Sequence, residues 1–261
     1  MRALGIAATG MMAQQTNVEV ISNNIANMNT TAFQRARAEF TDLFYMNQRR
    51  QGVQSTDEGN IVPAGIQVGL GVKTAAVRRV SLQGNLANTG NTYDLALQGR
   101  GYFMVDLPGG ETGYTRDGAF QKSPDGQLVT ADGYVLQPGL AIPDNAVDVT
   151  VNQSGEVLAY VDGEAEPLNL GQIELAVFPN EAGLSSVGDN MLKETLASGP
   201  AIVGVPGEVG FGSIRQKFLE SSNVNPVQEI TDLISAQRAY EMNSKVIETA
   251  DQMFSTVTRM R

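Results

Sequence analysis

Residues 226–261 read PVQEITDLISAQRAYEMNSKVIETADQMFSTVTRMR. Leu233, Tyr240, Ile247 and Phe254 recur every seven residues. Ala236, Asn243, Ala250 and Val257 follow three positions behind each. Ala239, Val246, Met253 and Met260 widen the stripe. A seven-residue repeat with a companion row is the mark of a helix whose apolar seam meets another helix. The start is also written locally: Asn225 suits an N-cap, Pro226 the first helical position and Glu229 the first turn. Glu241 and Lys245 stand four apart in the favourable order for an ion pair.

The other end of the chain carries a matching pattern. Leu4, Met11, Val18 and Ile25 recur every seven, with Ala7, Gln14, Ile21 and Met28 three on. Neither end has another helical stretch near it in sequence, so the simplest partner for each is the other, as a coiled-coil pair. Even paired, such wide stripes leave apolar surface uncovered, and surface of that kind marks an interface. The expected partner is another copy of the same chain. The seam residues expected to drive assembly are Leu4, Met11, Val18, Ile21, Ile25 and Met28 at one end. At the other they are Leu233, Tyr240, Val246, Ile247, Met253 and Phe254.

Between the ends the composition changes. All ten prolines lie from Pro63 to Pro226, no glycine follows Gly212, and only Gly5 and Gly10 precede Gly52. The formal charge of −10 is carried by the middle: residues 1–50 are +2, residues 226–261 are −1 and residues 51–225 are −11. Short apolar runs alternate there with turn residues, PGG at 108–110, DG at 117–118, PDG at 124–126 and DG at 132–133. That spacing predicts successive antiparallel hairpins. The fold class is therefore α+β. Residues 1–33 with 226–261 form a terminal helical domain, and residues 75–225 an antiparallel β domain. Residues 34–74 link them. Ala36, Phe40, Leu43 and Phe44 predict a short helix near 34–46. An extended stretch follows, whose Ile61, Val62, Ile66, Val68 and Leu70 are expected to wedge between subunits.

The composition excludes much chemistry. With no Cys and no His, thiolate catalysis, disulfides, Cys-ligated metals and the usual general base are unavailable. GIQVGLGVK at 65–73 lacks the dinucleotide and Walker patterns, and no Asp-Gly pair has calcium-loop spacing. No cofactor or metal is expected. An acidic chain without a Lys/Arg cluster is not a nucleic-acid binder, and no stretch has the ~20 apolar residues of an integral membrane segment. MRALGIAATGMMAQQ is a poor signal peptide, broken by Gly5, Thr9 and Gly10. An exported enzyme or glycan-binding protein at the cell wall is the alternative reading, weakened by the lack of His, Cys and Trp.

Residues 22–35, SNNIANMNTTAFQR, resemble the S-N-N-I/L-A-N-x-N-T-x-G-F-K/R signature of bacterial flagellar rod and hook proteins. Asn23, Asn24, Asn27, Asn29, Thr30 and Phe33 match it. Ala32 replaces the usual Gly, and Gln34 a basic residue. ESSNVNPVQEITDLISAQRAYEMNSKVIETADQM (220–253), with Asn223 and Asn225, is similar to the family's other end. GYTRDGAFQKSPDGQLVTADGYVLQP (113–138) is similar to its middle. AATGMMAQQTNVEVISNN, GIQVGLGVK and the length point to the distal-rod branch. The resemblance implies a structural subunit, not an enzyme, stacked helically into a rigid hollow shaft that transmits torque and lines the export channel. Implied partners are further copies of itself, proximal rod proteins, hook protein, P- and L-ring proteins and the flagellar type III export apparatus. The implied location is the periplasmic rod of the basal body, reached without a cleaved signal.

Overall fold

The structure, a computed structural model, describes residues 2–49, 64–162 and 166–259. The chain divides into two compact units. A helical unit comprises residues 1–26, 36–78 and 225–261, and a β unit comprises residues 27–35 and 79–224. The class is α+β: one long helix at each end and an antiparallel β-rich region between.

Helix α1 runs Arg2–Ala26 and helix α2 Pro226–Arg259. At ~1.5 Å per residue they are roughly 38 and 51 Å long. The Asn225 side chain accepts hydrogen bonds from the backbone N–H of Val227 (3.1 Å) and Gln228 (3.4 Å), capping α2 where the sequence places the cap. α1 stops at Ala26, so the expected seam residue Met28 lies beyond the helix, in a turn and exposed. Asn and Thr side chains from residue 27 onward offer the backbone local bonds that compete with the helix.

The short helix expected near residues 34–46 is absent. Ala36–Asp42 and Tyr45–Arg49 are strands, paired with Val72–Arg79 and Ile66–Gly69 respectively. The spacing of Ala36, Phe40, Leu43 and Phe44 fits a helix, but Phe40, Thr41, Phe44 and Tyr45 also suit a strand. Partner strands further along the chain, supplying backbone hydrogen bonds, outweigh the local period. Leu43 and Leu70 extend the pairing through backbone bonds to Gly71 and Phe44. Within this ribbon Ile66 and Leu70 are exposed and Val68 half-buried. Ile61 and Val62 lie outside the described residues.

The β unit is built on an antiparallel sheet. Strand Tyr102–Asp106 lies inside it, flanked by Thr112–Thr115, Val135–Leu136 and Leu175–Val177. Its alternate side chains enter two cores, as a strand covered on both faces requires. Phe103 and Val105 join Leu95, Phe120, Val157, Ile173 and Leu175 on one side. Tyr102 and Met104 join Tyr114, Phe178 and Leu192 on the other. A three-stranded meander, Ala146–Val151, Glu156–Val161 and Leu168–Gln172, adds Val149, Val151 and Val157 to the first core.

The turns at 108–110, 124–126 and 132–133 connect hairpin strands as their residues suggest. Asp117-Gly118 does not. There the chain meets residues 94–95 instead, with an Asp94–Ala119 bridge. A Cβ on Gly118 would stand 1.5 Å from the Leu95 carbonyl oxygen, so this glycine serves backbone approach rather than a tight turn.

Candidate functional site

In the helical unit, α1 and α2 pack antiparallel. Near one end the Asn24 carboxamide donates to the Glu229 carboxylate (3.1 Å), and further along Gly10 faces the Asn243 side chain. The most enclosed side chains are mostly small, with a few larger ones among them. Ala7, Ala13, Ile21 and Asn24 are buried on α1, and Glu229, Ala236 and Ala250 on α2. A Cβ on Gly10 would come within 3.0 Å of Asn243. Small side chains let two helix backbones approach closely, and that approach sets which row faces inward.

The larger rows therefore sit at the edge of the contact or outside it. Leu4, Met11, Val18 and Ile25 are half-buried, as are Leu233 and Ile247. Tyr240, Val246, Met253 and Phe254 are exposed, Met253 by 63%. Val227, Ile230, Ile234 and Met242 are exposed as well. α2 thus keeps a long apolar face after pairing with α1. The expected Glu241–Lys245 pair is not among the ion pairs within 4.0 Å of the described residues.

The family-signature asparagines act mostly on backbone. Asn24, 1% exposed, closes a two-way bond with Ala36: its Oδ1 accepts from the Ala36 N–H (2.8 Å) and its Nδ2 donates to the Ala36 carbonyl (2.9 Å). The same Nδ2 reaches Glu229, 2% exposed. One carboxamide so joins the end of α1, the first strand and the first turn of α2. A carboxylate in that turn also suits the positive end of the helix dipole.

In the β unit Asn223 has a parallel task. Its Oδ1 accepts from the Arg35 N–H (2.7 Å), and its Nδ2 donates to the carbonyls of Val80 (2.9 Å) and Leu82 (2.8 Å). Its own N–H donates to the Phe33 carbonyl (3.2 Å). Asn27 accepts from the Thr30 hydroxyl (3.1 Å), closing the turn after α1. Asn23 and Asn29 are exposed.

Ala32 is buried with φ of 55°, in the left-handed region, and its N–H donates to the Glu220 carbonyl (2.7 Å). The glycine usual at this point of the signature would adopt that angle freely; alanine does so at a cost of ~1–2 kcal/mol.

Sequence reasoning missed the buried ion pair of the β unit. Arg116 Nε donates to Glu220 Oε2 at 3.0 Å, with side chains 6% and 2% exposed. The Gly84 N–H satisfies the other carboxylate oxygen (2.9 Å), and Arg116 Nη2 donates to the Gly99 carbonyl (2.9 Å). Their separation of 104 residues leaves no local signal. Asp117 is also largely enclosed, and burial pushes its carboxyl above the ordinary value, opposed by bonds from the Ala119 N–H and Asn190.

Among the described residues no group of three or more carboxylates could hold a metal, and no helix is long and apolar enough to cross a membrane. The arrangement holds chain segments in place.

Comparison with known proteins agrees along the whole chain. Residues 4–34 match the family model for flagella basal body rod protein. Residues 96–159 match that for the flagellar hook protein FlgE/F/G D1 domain, and residues 215–260 that for the flagellar basal body rod FlgEFG protein C-terminal. The chain is 56% identical over 261 residues to the flagellar basal-body rod protein FlgG of Caulobacter vibrioides, covering all of both chains. It is 55% identical to that of Agrobacterium fabrum, covering 99% of each chain. With that of Bacillus subtilis it shares 36% identity, covering 100% of this chain and 99% of the relative. The chain belongs to the flagellar basal-body rod protein FlgG family, and it is a structural rod subunit rather than an enzyme.

Proposed function

We propose that this chain builds the distal rod of the flagellum, stacking helically with copies of itself into a rigid hollow shaft. In this reading α1 and α2 form a coiled-coil layer lining the export channel, and the β unit forms the outer layer. The apolar ribbon around Ile66, Val68 and Leu70, with the segment containing Ile61 and Val62, wedges between subunits. The shaft transmits torque inside the P and L rings and joins proximal rod proteins to the hook protein. Subunits reach this periplasmic position through the flagellar type III export apparatus without a cleaved signal.

The observation that carries the reading is the exposed apolar face of α2. Val227, Ile230, Ile234, Met242, Val246 and Met253 lie outside the contact with α1, along a helix of 34 residues. Exposed apolar surface of this extent marks an interface, and a polymer of identical subunits covers it in every copy.

Ile247→Asp tests the reading, because assembly would bury an unpaired carboxylate in each copy. Ile247 is only half-buried in the single chain. The variant is expected to remain folded and exported but to leave basal bodies without a distal rod in electron micrographs. Normal rods built from it would refute the role of the α2 seam row in assembly.

A further inference from the structure

Among the described residues, one buried side-chain polar atom makes no hydrogen bond: the hydroxyl of Tyr102, a residue 1% exposed. Buried polar groups are almost always satisfied, so an orphan calls for an explanation. Its surroundings supply one. Tyr102 lines a cavity of about 200 Å³ together with Gln34, Arg79, Arg116, Asp189 and Asn190, all of them in the β unit. At roughly 30 Å³ per water, that is the space of about seven waters.

The wall of this cavity is rich in donors. Arg79 Nη2 donates to the Leu184 carbonyl (2.6 Å), but Arg79 has no carboxylate within 4.0 Å among the described residues. Burial holds its guanidinium below the ordinary pKa, as for a cation that has lost water without gaining a counter-charge. Arg116 is already matched by Glu220, and Glu181 by Arg100 (3.0 Å). Burial, and after it the charge of Glu181, pushes the Tyr102 hydroxyl above its ordinary value, so at neutral pH it is a donor. Arg116, Gln34 and Arg79 act on it in the opposite sense, so its hydroxyl end lies toward the same wall. Gln34 comes near without closing a hydrogen bond. The one carboxylate of the lining, Asp189, is exposed and in none of the ion pairs.

We propose that the cavity beside Tyr102 is a carboxylate-binding site, gripped by the Arg79 guanidinium and the Tyr102 hydroxyl. A carboxylate accepts from a planar guanidinium fork and from a phenol at once, and such charge-assisted bonds are the strong ones. One uncompensated cation matches a monoanion better than a phosphate dianion. Two sources supply this chemistry: a free small acid, and an aspartate or glutamate side chain of a second copy of this chain. The site is formed within the β unit of one chain, so it stands or falls independently of the rod reading.

Titration of the monomeric full chain with sodium propionate tests this, propionate being a glutamate side chain without its backbone. Propionate replaces chloride at constant ionic strength while amide and Arg Nε–H resonances are followed. Saturable shifts centred on Gln34, Arg79 and Tyr102 are expected. Arg79→Gln should weaken binding at least about tenfold, on the scale of a hydrogen bond to a charged group, and Tyr102→Phe severalfold. Tyr102→Phe removes only an unpaired oxygen, so without propionate it should melt no lower than wild type. It therefore keeps the test valid if Arg79→Gln fails to fold. No saturable shift in wild type, or binding unchanged by Tyr102→Phe, overturns the inference. Two further measurements identify the source. A free acid appears in native mass spectra of chain purified from cells, as added mass that Tyr102→Phe loses. A side chain as occupant gives no added mass, and propionate then inhibits self-association of wild type but not of Tyr102→Phe. Neither added mass nor inhibition would mean an adventitious ion only, and overturns the inference as well.

Discussion

Asn24→Ala should cost the helical unit more than any exposed substitution can. The native carboxamide satisfies both the N–H and the carbonyl of Ala36 and one oxygen of Glu229. Two neutral hydrogen bonds contribute about 0.5–1.5 kcal/mol each and one to a charged group about 1.5–3. Ala36 is only half-buried, so water can replace part of its bonding, whereas Glu229 is 2% exposed and keeps most of the penalty. The expected loss is about 3 kcal/mol, roughly a 150-fold shift in the unfolding equilibrium. Asn24→Asp, which keeps the shape but sets a second carboxylate against Glu229, should cost more at neutral pH. Urea unfolding followed by far-ultraviolet circular dichroism reports directly on α1 and α2. The midpoint should fall while the slope with denaturant stays constant. An Asn24→Ala midpoint equal to wild type would refute the argument that this side chain holds the two helices and the first strand together.

Three further outcomes follow from the β unit. Glu220→Ala should destabilise it by about 3–5 kcal/mol by stranding the buried Arg116, while replacing both partners with leucine should cost less; a thermal double-mutant cycle measures the difference. Ala32→Gly should stabilise by about 0.5–1 kcal/mol, the relief of the left-handed strain less the extra freedom of glycine in the unfolded chain. A lower melting temperature for that variant would contradict it. Asp117→Asn should stabilise at neutral pH. The raised carboxyl pKa means the folded state binds the proton more tightly. Its contribution is therefore present below the unfolded value near 3.8 and is lost as pH rises through the folded value. The asparagine's advantage should vanish on acidification below that range, and an advantage independent of pH would point to another cause.

The two helices, the cap at Asn225 and three of the four central turns are legible in the sequence because each depends on neighbours within a few residues. Heptad spacing, an Asn-Pro start and Pro/Asp-Gly pairs act locally, and the fold leaves them in place. The strands at 36–49 are not legible, because their partner lies beyond a gap in sequence and long-range pairing overrides local period. Nor does the heptad pattern say which row is inside. It marks Ala236, Ala250 and Tyr240 alike, and only the packing of the two helices leaves the alanines buried and the tyrosine exposed. The signature asparagines stand out as a cluster. Yet their work is decided at a distance, since Asn24 meets Glu229 from 205 residues away and Asn223 meets Arg35 from 188. Local chemistry determined where the helices begin and end. Tertiary packing decided which surface they spend on each other and which they keep exposed, because burial depends on partners that no local stretch of sequence contains.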